Sequence, residues 1–294
     1  MKKVIFILAN LVFGMMHSQG CSDAGFCTLA NFKPMTIEEK PLENTFKTGV
    51  SVGGADHNIT IVSIYKEYNY KKDNYSFGAK ATFMAQIGSQ VQTGNIGDLY
   101  ITNGYSFFKD FNATLGIKMP LTDGNLTKDK NILPLDHQSS LGTVDLILGA
   151  SYKIKNVQVA LGFQQPLSQN RNQFSSENVI GTFENYQTTR NYKRAGDVML
   201  RVSYPFEFNK FKITPSVLPI YHLSNDLYTD ATNVEREISG SQGLTINGNV
   251  YFDYKLNNKN AFQFNFGMPF VTRIARPDGL TRSWIATLEY AFSF

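Results

Sequence analysis

Two side chains in the phrase Tyr221-His222-Leu223-Ser224-Asn225-Asp226 have the types and spacing for nucleophilic chemistry. His222 and Ser224 are two apart, so an extended chain sets an imidazole base and a hydroxyl nucleophile on one face. Such a pair hydrolyses an ester only when a third residue orients the imidazole, and the sequence marks none for that part. The plainer reading is a polar strand end entering a loop. Asp123, Asn125 and Asp129 in D-G-N-L-T-K-D are oxygen donors. They lack the closing Glu and central Gly of a calcium-binding loop, which leaves a solvated loop. His57 and His137 have no ligand spacing around them, and no Gly-rich phosphate loop precedes a helix. No metal and no cofactor is expected.

The N-terminus has the three parts of a secretory signal, expected over residues 1–20. Lys2 and Lys3 are followed by the apolar residues 4–13 and the small-residue site Ser18-Gln19-Gly20. Cys21 and Cys27 are the only two cysteines, and in an oxidising compartment they are expected to form a short-loop disulfide. A lipid-modified Cys21 is the alternative, with Ser18 where a lipidation signal normally has Leu. Residues 21–45 contain Pro34 and Pro41 and show no alternation. They either lie in the periplasm or fold into a barrel mouth as a plug.

The elements that must carry these residues are strands. Twelve candidates follow, at 46–55, 58–70, 75–87, 98–108, 111–121, 144–154, 157–167, 197–208, 211–223, 243–256, 261–270 and 282–294. In the cleanest, Val198, Leu200, Val202, Tyr204, Phe206 and Phe208 alternate with Asp197, Arg201, Ser203 and Glu207. Alternation of this kind gives a strand one apolar and one polar face. Segments of about 9–13 residues cross a bilayer at a barrel tilt. Tight turns (Lys109-Asp110, Lys155-Asn156, Asn209-Lys210) alternate with long polar loops at 122–143, 168–196 and 224–242. Short periplasmic turns and long external loops produce that alternation. The expected fold is therefore all-β: a transmembrane antiparallel up-and-down barrel of about twelve strands over residues 46–294, in the bacterial outer membrane.

Composition agrees. Mean hydropathy is slightly negative, and after the N-terminus no apolar run approaches the roughly 18–20 residues of a membrane helix. The 23 Phe and 15 Tyr suffice for an aromatic girdle against outer-membrane lipids. The net charge of +4 is spread without a basic run, which excludes nucleic acid as a partner. Lys80, Asp98, Lys118, Asp145, Lys153, Arg201, Glu207, Asp253 and Glu289 fall opposite the aromatics. A Lys or Arg facing lipid near the midplane costs roughly 2–4 kcal/mol, so these residues are expected to face the lumen. There they either brace the wall or line a permeation path, and their mixed signs imply no ion selectivity.

Three resemblances add to this. The last strand, with Trp284, Ala286, Leu288, Tyr290, Phe292 and Phe294 on one face, resembles the C-terminal strand of outer-membrane barrels. That likeness implies the barrel-assembly machinery as a partner. The phrases G-D-L-Y (97–100), M-P-L-T-D-G (119–124), L-G-T-V-D (141–145) and A-G-D-V-M-L (195–200) stand in a telling order. They resemble the outer-membrane proteins of the meta-pathway of phenol degradation, which are similar to long-chain fatty-acid transporters. Here Leu121 is inserted before Thr122 and Asp123 follows it, and the Cys21–Cys27 segment replaces the Asn-Pro-Ala start of the transporters. The resemblance implies passive, channel-like uptake of small molecules, apolar ones included, with the N-terminal segment as a hatch. Finally, H-x-S-N at 222–225 resembles the catalytic phrase of outer-membrane phospholipases and lipid A deacylases. This implies, as the alternative, an esterase using Ser224 and His222.

Overall fold

Period-two alternation lets a chain bury one row of side chains and give the other to hydrocarbon, provided no sheet edge is left open. The computed structural model describes residues 28–34, 44–89, 91–108, 110–178, 183–278 and 282–294. The signal-like stretch, Cys21 and Cys27 lie outside the described residues. The strands are β1 (Asn44–Ala55), β2 (Thr60–Lys72), β3 (Tyr75–Ile87), β4 (Gln92–Phe108), β5 (Phe111–Pro120) and β6 (Asp145–Ile154). They continue with β7 (Val157–Pro166), β8 in two segments (Asp197–Ser203 and Phe206–Phe208), β9 (Phe211–His222), β10 (Gly243–Lys255), β11 (Asn260–Val271) and β12 (Arg282–Ser293). Each pairs antiparallel with the next, and β12 returns to β1 from Thr45 opposite Ser293 to Gly54 opposite Trp284. The result is a closed twelve-stranded barrel.

Two boundaries differ from the sequence expectation. Residues 88–97 read as a connection, yet β4 starts at Gln92 and pairs with β3 across a register slip between Ala81 and Phe83. Gly94 and Gly97 interrupt the apolar alternation there and so conceal the strand. Residues 197–208 read as one uninterrupted strand, yet β8 breaks after Ser203. Pro205 has no N–H to give a ladder, while Tyr204 on its near side still donates to the Pro215 carbonyl at 3.1 Å.

The outer surface is the apolar row. Aromatic pairs band the end where the turns are short: Tyr105–Phe107 (4.9 Å between centroids), Phe211–Tyr254 (4.8 Å), Phe262–Tyr290 (5.2 Å) and Phe292–Phe294 (5.6 Å). Such a belt sits at a membrane–water interface. With the start of β1, the end of β12 and the short turns on that side, it is the periplasmic one. Trp284, the single tryptophan, lies on the outer row of β12, and a Cβ at Gly54 would come within 3.0 Å of its indole nitrogen. At the opposite end the long loops fold into a cap. Leu135, Leu141, Tyr192 and Ile238 form one buried cluster there, and Val91, Leu133, Phe174 and Phe183 a second.

The second cluster surrounds His137, which is 2% exposed and lies edge-on to Phe183 at 5.7 Å. Burial pushes the pKa of this imidazole down to about 4. The folded cap thus holds it neutral, whereas the unfolded chain takes up a proton near pH 6.5. The stability it lends is complete above pH 6.5 and is lost as pH falls from there toward about 4. Compared with His137→Phe, the parent cap should weaken on acidification by on the order of 3 kcal/mol. Proteolysis of the loops at pH 7.5 and pH 4.5 measures this. Equal rates for parent and variant at both values would refute it.

Candidate functional site: a plugged lumen under a latched cap

The inward row of the barrel is polar on most strands, and the N-terminal segment enters it. Residues 28–34, with a turn of 3-10 helix at Ala30–Phe32, lie inside the lumen. Polar and apolar contacts hold them. Lys33 bonds the Glu289 carboxylate at 2.9 Å, and Lys80 donates to the Thr28 hydroxyl at 2.9 Å. Asn31 donates to the Thr114 hydroxyl at 3.2 Å. Phe32, 2% exposed, lies against the bare backbone of Gly149, where a Cβ would sit 2.3 Å from its ring. Only glycine admits that approach.

Around the plug the inner wall divides by chemistry. Leu29 and Phe32 pack on inward Tyr100, Ile147, Ala160, Met199, Leu218 and Ile220, an apolar patch in a mostly polar interior. On the other side Glu289 gathers Lys33, Lys47 at 3.3 Å and the Tyr65 hydroxyl, which donates to it. The Lys80 ammonium stands 4.1 Å from the centroid of the Tyr65 ring. Lys118 and Asp145 meet at 2.8 Å with 1% and 0% side-chain exposure, and Lys212 approaches Asp253 at 3.9 Å. Arg201, 3% exposed, donates to the Tyr251 hydroxyl. Asp98 is buried, whereas Lys153 and Glu207 are exposed toward the periplasmic mouth. Glu207 lies opposite Lys212 in the β8–β9 register.

The Gly-Asp phrases acquire a physical meaning here. Each places an aspartate inward toward the external side, at the first residue of β6 and of β8 and six residues into β4, and a glycine where a loop crosses. A Cβ at Gly97 would lie 2.9 Å from the Ser139 carbonyl, and Asp98 accepts from the Ser140 hydroxyl at 2.6 Å. Gly142, at φ +67°, brings the 141–145 phrase against the Asp123 carbonyl of the 119–124 phrase. Asp145 accepts from the Thr143 hydroxyl at 2.6 Å. Asp197, after Gly196, accepts from Arg194 and from Nδ1 of His222, the latter at 2.7 Å. Three aspartates thus tie the loops to the wall.

The third tie is the largest. The opposite nitrogen of His222, Nε2, faces Asp226 at 2.8 Å, and the same carboxylate oxygen accepts the Ala195 N–H at 2.9 Å. Arg194 also lies 3.7 Å from Asp278, which Arg273 bonds at 3.1 Å. Arg273 in turn donates to the Ser241 carbonyl at 2.8 Å. Arg194, Asp197, His222, Asp226, Arg273 and Asp278 are all at most 5% exposed. They join two strands to three loops as a buried latch. The Asp197 carboxyl is a strand group; Arg194, in the loop beside it, is held above the usual guanidinium range by Asp197, Asp278 and the other acids facing it, against its desolvation.

This arrangement separates the dyad suggested by sequence. β9 ends at His222, so alternation stops before Ser224, which is exposed while His222 points inward. Both ring nitrogens already face carboxylates, leaving neither for a serine proton. Sequence reasoning missed Asp197 and Asp226 as the partners of the histidine. Asp226 stood four residues away in the quoted phrase; Asp197 is opposite His222 only through the β8–β9 register.

No protein-family profile matches the chain, and no curated protein matches it. Solved structures do. The COG4313 outer membrane channel from Pseudomonas putida F1 superposes with a TM-score of 0.59 at 15% identity, covering 89% of this chain and 99% of that one. The CymD monoaromatic hydrocarbon channel gives 0.47 at 9% identity over 92% and 93%, and the NanC porin 0.46 at 7% over 85% and 98%. The first similarity shows the fold to be that of an outer-membrane barrel, which is also what the hydrocarbon-facing exterior requires.

Proposed function

We propose that the protein is a passive outer-membrane channel for small molecules, apolar ones included, held shut by residues 28–34. The apolar patch behind the plug carries this reading. Inward residues that merely brace a barrel are expected to pair or hydrogen-bond, as Lys118 and Asp145 do. Met199, Leu218 and Ile220 instead present hydrocarbon to the lumen, covered by Leu29 and Phe32. Displacing those two side chains uncovers a surface on which an apolar solute gains by leaving water. Proteoliposome swelling in a small sugar and single-channel recording test the reading. Measurable flux is expected, larger in plug-weakened variants. Sealed behaviour in parent and variants alike would overturn it.

Esterase activity has less support, because His222 is engaged at both nitrogens and Ser224 faces away. Purified parent and Ser224→Ala should both fail to release fatty acid from phospholipid. Hydrolysis in the parent that disappears in the variant would reverse that assignment.

A further inference from the structure

On the periplasmic side of the plug lies a cavity of about 260 Å³. That is close to the lower end of the ~300–1,000 Å³ typical of small-molecule sites. Its floor is Phe32 of the plug and Ala160 of β7. Its wall is the inward row of β2 to β8 below the plug, rich in hydroxyl and amide groups such as Ser76, Asn112 and Ser203. The charges are lopsided. Lys33, Lys71, Lys153 and Arg201 line it, against one carboxylate, Asp110. Glu289 offsets Lys33, so the lining keeps an excess of positive charge.

The positions of those cations form a gradient. Lys71 and Lys153 are exposed at the mouth. Arg201 is deep, 3% exposed, with its guanidinium carbon 5.6 Å from the centroid of the Tyr251 ring. Confined like charges beside low-dielectric walls raise the local concentration of counter-ions. Hydroxyls and amides supply donors for a carboxylate, and half-buried Ala30 of the plug supplies apolar surface beside them.

We propose that this cavity is a binding station for small organic anions, a carboxylate on a short apolar body, at the periplasmic face of the plug. The proposal rests on the channel reading and names a solute class for it. An amphipathic acid that slides past the apolar patch meets the cations next, its body beside Ala30 and its carboxylate toward Arg201. Lys71 and Lys153 draw it down toward the mouth.

Isothermal titration of the full mature chain in detergent, with benzoate and the neutral benzyl alcohol as probes, tests this. Benzoate should bind, weakening as salt rises, and benzyl alcohol should bind about tenfold more weakly. The double variant Lys71→Gln/Lys153→Gln, at exposed positions, should lower benzoate affinity by about tenfold and leave benzyl alcohol unchanged. Equal binding of the two probes, no binding of either, or an unaltered variant would overturn the station. Swelling assays on the same preparations separate the two ideas. Solute flux without benzoate binding leaves the channel and removes the station. Benzoate binding without flux in any variant keeps the station and removes the channel.

Discussion

Phe32→Ala should raise single-channel conductance several-fold while leaving the barrel folded. Phe32 is the largest apolar anchor of the plug, 2% exposed between Gly149 and the patch that includes Ile147 and Leu218. Truncating a buried Phe costs about 3–5 kcal/mol. Here that loss falls on a short segment whose other described ties include buried Leu29, the Lys33–Glu289 pair and the hydrogen bonds of Thr28 and Asn31. The strand ladders do not pass through Phe32, so heat-modified migration on gels should stay that of the parent. Gly149→Val provides the reciprocal test, because its Cβ would sit 2.3 Å from the Phe32 ring on a wall that closure holds in place. The ring, not the strand, has to move. If both variants conduct like the parent while their N-terminal segment becomes accessible to protease, the plug is not what controls passage.

Asp197→Ala should free the cap from the barrel. Asp197 is 1% exposed and accepts from both Arg194 and His222. Removing it leaves the buried Arg194 guanidinium only its longer, 3.7 Å approach to Asp278, and breaking a buried pair typically costs about 3–5 kcal/mol. The loss should appear in the loops, since the ladder from Asp197 to Ser203 along β7 is a backbone feature. Trypsin should cut at Arg190, Lys193 or Arg194 much faster than in the parent, with the barrel core left resistant. Asp197→Asn, which keeps the shape and one acceptor, should fall between the two. Unchanged cleavage in Asp197→Ala would mean that the two apolar clusters alone hold the cap.

Strand number, closure and the row of inward charges were legible because lipid on one side imposes a strict parity. Lys118 and Asp145 illustrate this: each was assigned inward from its own strand, and they meet because β5 and β6 place them opposite each other. Parity says nothing about positions beyond strand ends. Ser224 lies two residues past the end of β9, where the alternation expected to set it on one face with His222 no longer holds. Partners across a register are equally hidden, which is why Asp197 went unseen beside His222. The plug was legible only as a choice between two places. Its burial depends on Gly149 leaving room for Phe32, a fit between residues far apart in the chain.

Trp284 stands where the ends of the sheet meet, on β12 opposite Gly54 of β1. As the one indole in the chain, it makes the protein its own optical clock for assembly. In a detergent-free urea solution its emission should be that of a hydrated fluorophore. The blue shift on dilution into vesicles then times the arrival of the final hairpin in hydrocarbon. Zipping of earlier hairpins contributes nothing to that signal, so biogenesis can be followed at its terminal event without any attached dye.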